Sequence, residues 1–210
     1  MLKQNLESGR IEHKLKTRMA ILEAAKKIMS QQADFRLEDV AEEAGISRAT
    51  IYRYFPNIQV LSLETAIDIQ AKTPDELFEM HKKLSVRDQL LKIQKYYIDL
   101  ALDNERTFRN YLSASLKQEN DPGSPNVRGA RRVESLKKSL EKVKDKVDPG
   151  IYQKLISFSS VIMGFEPIIV AKDVCGYRDP HEIHELLEWG FKKILDSVPE
   201  LNEPGRTDNK

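Results

Sequence analysis

The chain has 210 residues, of which 40% are apolar, 32% charged and 7% aromatic, enough to bury a real core in one large domain or two small ones. Thirty-four basic against thirty-three acidic side chains leave a net charge of +1, which excludes global basicity as a route to nucleic acid, so such a partner must be met by a local face. A single cysteine, Cys175, excludes an internal disulfide, and the paired Cys/His spacings of zinc modules are missing, so neither a metal nor a cofactor is expected.

The longest apolar stretch, Val161 to Ala171, is interrupted by Glu166 and Pro167 and reaches only about half of the roughly 20 residues that a bilayer span needs. No membrane partner is expected. The first sixteen residues carry basic groups but lack the apolar run and small-residue cleavage site of a secretory leader, so a cytoplasmic location is expected.

Helix signals dominate along the chain and strand alternation is missing, which predicts an all-α fold. Ile21, Ala24, Ala25 and Ile28 line one face of a first helix over 17–31. Leu37, Val40, Ala41 and Ala44 give a second helix about two turns long. Gly45 ends it as a left-handed C′ residue, and Ser47 follows as the N-cap of a third. Two short helices meeting across a glycine corner, with Ile46 behind the turn, are the components of a helix-turn-helix over about 36–55. With Ile51 set at 0° and steps of about 100° per residue, Phe55 shares its inward face, while Ala49, Thr50, Tyr52 and Arg53 turn outward. Arg48 stands on the flank of the first turn. This face combines a methyl, a hydroxyl, guanidiniums and phenols, the chemistry of groove reading and phosphate contact.

The segment TRMAILEAAKKIMSQQADFRLEDVAEEAGISRATIYRYFPNIQVL resembles the DNA-binding domain of the tetracycline-repressor (TetR) family of transcriptional regulators. Ile21-Leu22, Ala24-Ala25, Asp39-Val40-Ala41, Ala44-Gly45-Ile46-Ser47, Thr50-Ile51-Tyr52 and Tyr54-Phe55 fall in register with the family pattern. The resemblance covers residues 13–73, about a third of the chain. It implies an N-terminal three-helix helix-turn-helix domain, a C-terminal helical bundle over 74–200 for dimerisation and ligand binding, and flexible tails at 1–12 and 201–210. Ser47, Arg48, Ala49 and Thr50 would lie near the bases, and Tyr52, Arg53 and Tyr54 would grip phosphates. Arg36 stands where the family has a Thr or Ser opening helix two, exchanging an N-cap hydroxyl for a phosphate-seeking guanidinium. Ile58 stands where the family has a phosphate-contacting lysine, so one anchor is lost.

Beyond the resemblance, Ile58 to Lys72 reads as a helix broken by Pro74, and a short segment through Leu77, Phe78 and Leu84 leads into a helix over 86–102. Phe108, Tyr111, Leu112 and Leu116 mark another, stopped by the loop Asn120 to Pro125. Arg128 to Lys146 follows as a basic helix whose charge fits a solvated face. Asp148-Pro149 and Asp179-Pro180 are matched start signals, an N-cap carboxylate followed by proline at the first helical position. The first of these C-terminal helices carries apolar residues from Ile151 to Ile169 with a kink expected at Pro167, and the second carries them from Ile183 to Val198. Both stripes are wider than one neighbour needs. In the family, the last two major helices pair with their two-fold mates, so a homodimer through these two helices is expected, with its two reading helices meeting a palindromic operator in double-stranded DNA.

The family also encloses a small-molecule effector in its C-terminal bundle, whose binding releases the repressor. Candidates here are Tyr96, Tyr97, Phe108, Tyr111, Phe158, Met163 and Trp189, for each of which core packing is the favoured reading. Glu166 is a carboxylate in an apolar run that could line a pocket at the kink or reach solvent. An alternative is an architectural or protein-controlled DNA-binding factor of the same fold without a small-molecule ligand. Catalysis finds little support: His181 and His184 in HEIHE are spaced i, i+3 rather than as in the HExxH zinc motif, and there is no Gly-rich phosphate loop or nucleophile elbow. The expectation is therefore a regulator and not an enzyme.

Overall fold

The computed structural model describes residues 2–31, 34–116 and 130–202, with side chains described for 13–31, 34–116 and 131–201. Among the described residues the fold is all-helical, and by packing the chain divides into two compact units that are not continuous in sequence. Residues 1–71 and 104–130 form the first, and residues 72–103 and 131–210 the second.

The first unit is built from α1 (Leu2–Gln31), α2 (Leu37–Glu43), α3 (Arg48–Tyr54), α4 (Ile58–Gln70) and α7 (Glu105–Leu116). Helix α1 begins well before the apolar stripe that marks it in sequence. That stripe, Ile21, Ala24, Ala25 and Ile28, is buried with Leu37, Val40, Ala41, Ile51, Phe55 and Leu61 in one core. The corner between α2 and α3 turns on Gly45, whose φ of 65° is left-handed and would strain a residue with a Cβ. Each following helix starts on a side-chain cap: Ser47 Oγ accepts from Thr50 N–H, and Asn57 Oδ1 from Val60 N–H. Helix α7 packs along α4, with Tyr111 and Ala114 against the same core.

The second unit holds α5 (Pro74–His81), α6 (Val86–Asp103), α8 (Ala130–Leu140), α9 (Pro149–Ile162), α10 (Phe165–Ile169, continued by a π turn over Val170–Val174) and α11 (Pro180–Asp196). Its core joins Leu90, Ile93 and Tyr97 of α6 to Leu136 and Leu140 of α8, Leu155 and Ile156 of α9, and Phe191 and Leu195 of α11. Both Asp-Pro start signals act as expected: Asp148 Oδ1 accepts from the N–H groups of Gly150 and Ile151, and Asp179 Oδ1 from that of His181. Thr73 and Glu76 close a capping box around Pro74 at the start of α5.

The expected kink at Pro167 is corrected. The apolar run from Ile151 breaks between α9 and α10 at Met163-Gly164, where the two segments meet at 46°. Pro167 sits in the first turn of α10, where its missing N–H has no intrahelical partner to lose. The Arg132 side chain lies across Gly164 at the break: a Cβ there would meet the ends of the Arg132 and Glu166 side chains, which would have to move aside. Arg132 Nη1 reaches the Ser160 carbonyl at 3.3 Å and Glu166 at 3.8 Å. No single helix among the described residues is long and apolar enough to cross a membrane. The expected loop at 120–125, and residues 203–210 of the expected C-terminal tail, lie outside the described residues.

Candidate nucleic-acid interface

The α2–α3 pair presents one face to solvent because the other is fully committed to the core. Ile51 and Phe55 are completely buried, whereas Arg48, Ala49, Tyr52 and Arg53 are exposed and Thr50 half-exposed, which is the division that the 100° spacing predicts. Tyr54 departs from its expected role: it is buried, its ring stacks under the Arg53 guanidinium at 5.9 Å, and its carbonyl accepts from Arg18 Nη1 at 3.2 Å. Ser47 is spent largely on structure, capping α3 through Thr50 N–H and sharing a 2.9 Å hydrogen bond with the Thr50 hydroxyl. The Arg36 guanidinium is exposed, and the helix start that it cannot cap is held instead by Asp39, whose Oδ2 accepts from Arg36 N–H at 2.7 Å. Ile58 opens α4 and packs half-buried against the core, so this position supplies packing and no charge.

Two features of this unit escaped the sequence reading. The first is Glu38 on α2, whose Oε1 accepts from both Arg48 Nη2 at 2.7 Å and the Tyr52 hydroxyl at 2.9 Å. Its own backbone N–H, the Tyr52 hydroxyl and Arg48 together hold the Glu38 carboxyl below the usual carboxylate range, and the same bond raises the Tyr52 phenol. The second is a buried polar network behind α3. Arg18 of α1 lies over the Phe55 ring at 4.2 Å and donates from Nε to Glu64 Oε1 at 2.7 Å, with Nη2 on Glu64 Oε2. Tyr111 of α7 donates to that same Oε2 at 2.6 Å. Burial alone works against the Arg18 charge, but the Glu64 charge and hydrogen bonds outweigh it and the guanidinium is held protonated more firmly than a free one. Burial, followed by the negative charge of Glu64, raises the Tyr111 phenol far above its ordinary value. The partners lie 36 to 47 residues apart in sequence, so no local pattern announces them.

The residues singled out as effector candidates divide between the two units, and the structure gives most of them packing or surface roles. Phe108 and Tyr111 belong to the first unit with α7. In the second, Met163 is buried, and Tyr97 is buried with its hydroxyl 3.0 Å from Ser135 Oγ. Burial pushes the Tyr97 phenol up to about 12. Tyr96 stacks edge-on to Tyr97 at 5.2 Å, and its hydroxyl accepts from Lys72 N–H at 2.6 Å. Phe158 and Trp189 stand exposed on α9 and α11 rather than inside the bundle. Glu166 is exposed beside Arg132, the solvent-facing outcome of its two readings. Among the described residues no group of three His, Cys, Asp or Glu could hold a metal; His184 Nε2 lies 2.7 Å from Asp99 Oδ1, and Cys175 is free and exposed.

Residues 21–65 match the family model for bacterial regulatory proteins of the tetR family, the span from the α1 stripe through α3 into α4. Over 56 residues the chain is 39% identical to the HTH-type transcriptional repressor LfrR of Mycolicibacterium smegmatis, a stretch that covers 27% of this chain and 28% of that relative. No solved structure matches the chain at comparable stringency. Matched motif, glycine corner, capped third helix and buried Ile51–Phe55 face agree, and residues 21–65 are a helix-turn-helix domain of the kind found in bacterial regulatory proteins of the tetR family.

Proposed function

We propose that the chain is a dimeric transcriptional repressor that reads a palindromic operator with α3 and is released by a small molecule bound in the second unit. The observation that carries the reading is the outward face of α3. A seven-residue helix with its apolar side sealed in the core exposes Arg48, Ala49, Tyr52 and Arg53 together, a surface thin enough to enter the major groove. A small reading helix makes few base contacts, and two-fold symmetry doubles them at half-sites about 34–36 Å apart.

The dimer reading is supported by exposed large apolar side chains on both C-terminal helices, three on α9 and one on α11. On α9, Tyr152, Leu155, Ile156 and Ser159 face the core, while Ile151, Phe158 and Val161 turn to the other side and stand exposed. On α11, Ile183, Phe191 and Leu195 face the core while Trp189 is exposed. Large apolar side chains gathered away from the core mark a partner surface, and a second copy of the same helices offers the matching face. Release by a ligand is supported by three buried groups of the second unit without a hydrogen-bond partner, Gln89 Oε1 and the hydroxyls of Ser139 and Ser159, which a polar group of a bound molecule would satisfy.

The test is a gel-shift titration on the DNA upstream of this protein's own coding region, with wild type, Ala49→Glu and Arg53→Ala. Ala49 is exposed, so a carboxylate there leaves the fold intact while placing a charge against the DNA. Both variants are expected to lose binding. Unchanged affinity in both would remove α3 as the reading element.

A further inference from the structure

The face that reads DNA in this proposal carries an acid at its centre. Glu38 projects from the first turn of α2 and is largely covered, with 29% of its side chain exposed, whereas its partner Arg48 is 75% exposed. One carboxylate oxygen takes hydrogen bonds from Arg48 and from Tyr52, two of the side chains that the reading assigns to DNA. A carboxylate at that place repels phosphates. It therefore has a consequence for every duplex the protein meets, whatever its sequence.

Resting on the reading of α3 as the DNA-contacting helix, we propose that Glu38 is a specificity-determining, positioning residue: it holds Arg48 and Tyr52 in a fixed direction for base-edge contact and withholds the Arg48 charge from the phosphate backbone. Sequence-independent affinity comes from phosphate neutralisation and counterion release, whereas base edges carry the sequence information. An arginine already neutralised by a neighbouring carboxylate releases few counterions, yet its remaining N–H groups stay free to donate to a base. Tyr52 on the same oxygen fixes the carboxylate from the other side, so the three side chains form one braced unit across the α2–α3 corner. Discrimination rises because the common competitor, random DNA, gains nothing from Arg48.

The experiment uses the full chain and a random-sequence duplex, with binding followed by fluorescence anisotropy at several salt concentrations for wild type, Glu38→Gln, Arg48→Ala and the double variant. Glutamine keeps the size and one acceptor for Tyr52 while freeing the Arg48 charge. The double variant, which carries neither charge, is expected to keep the wild-type salt slope, because in wild type the two charges already neutralise each other. Glu38→Gln is expected to steepen the slope by about 0.9, so that a fourfold drop in salt tightens its binding about 3.5-fold more than it tightens wild type. Arg48→Ala alone bares the Glu38 carboxylate and is expected to bind more weakly than the double variant at every salt concentration. Circular dichroism checks that each variant stays folded, and folding alone would not move a salt slope.

A flattened slope for the double variant, or an unchanged one for Glu38→Gln, would overturn the proposal while leaving the helix-turn-helix reading in place. Failure of wild type itself to bind any duplex in a salt-dependent way would instead overturn the DNA reading and this inference with it.

Discussion

Replacing Glu64 with alanine tests whether the buried network behind α3 holds the first unit together. Arg18 is 4% exposed and Glu64 9%, so the substitution leaves a guanidinium in the interior without its carboxylate. Lost with it are two guanidinium–carboxylate hydrogen bonds and the carboxylate acceptor of the Tyr111 hydroxyl; Arg18 keeps the Tyr54 carbonyl, the face of Phe55 and the neighbouring Tyr111 hydroxyl. Breaking a buried pair by removing one partner costs about 3–5 kcal/mol. At an m-value of about 2 kcal/mol per molar urea, the midpoint of the full chain followed by circular dichroism should fall by roughly 2 M. Tyr111→Phe removes a single hydrogen bond to a charged group and should cost about 1.5–3 kcal/mol, which keeps the experiment readable if Glu64→Ala fails to fold. Removing both charges together, as Arg18→Met with Glu64→Leu, should recover most of the loss, because no uncompensated ion remains buried. A double variant no more stable than Glu64→Ala, or a Glu64→Ala midpoint equal to that of an exposed control such as Glu79→Ala, would refute the reasoning.

Ser47→Ala removes the cap of α3 and should lower stability by about 1 kcal/mol, read as a small drop in urea midpoint, while Ser47→Asp should largely restore it. Tyr97, with a folded-state pKa of about 12 against about 10 when unfolded, favours folding fully below pH 10 and loses that contribution as pH rises towards 12; a two-unit shift corresponds to about 3 kcal/mol. Stability curves between pH 9 and about 12 should therefore fall less steeply for Tyr97→Phe than for wild type, and parallel curves would argue against this assignment. Val161→Glu, at an exposed apolar position on α9, should leave circular dichroism unchanged and convert the proposed dimer to monomer by light scattering. Gly164→Ala should break the Arg132–Glu166 contact while the fold survives, since the atoms in its way are the mobile ends of two long side chains; ultracentrifugation and melting together report whether the α9–α10 break feeds into assembly.

What could be read from the sequence was whatever depends on near neighbours. Gly45, Ser47 and the two Asp-Pro pairs each act within a turn of their own position, and the structure uses all of them as turn or caps. The inward placement of Ile51 and Phe55 followed from the helical period alone. Tyr54 shows what happens when chemistry is allowed to override that period. A position three residues beyond Ile51 falls about 60° from it, inside the buried arc, and the structure buries the ring there. The break at Gly164 was hidden for a different reason: proline is the usual sign of a kink, but it is also at home in a first helical turn, and the side chain that lies across Gly164 is that of Arg132, thirty-two residues earlier.

Charge was the poorest guide, and the reason lies in individual partners. The first sixty residues carry ten basic side chains against eight acidic ones, a surplus too small to point anywhere. Within that surplus Arg18 is committed to Glu64 inside the core, Lys27 to Glu43 on the surface and Arg48 to Glu38 on the reading face. Counting charges treats these three alike. Their burial separates them: the first braces α1 against α4 and α7 inside the core, the second is an exposed pair of little energetic weight, and the third stands on the face proposed to meet DNA. A regulator of this kind does not need net positive charge so much as control over which of its cations a phosphate can reach. In the α2–α3 corner that control falls to one carboxylate, whose removal is predicted to make the protein bind DNA more tightly and read it less well.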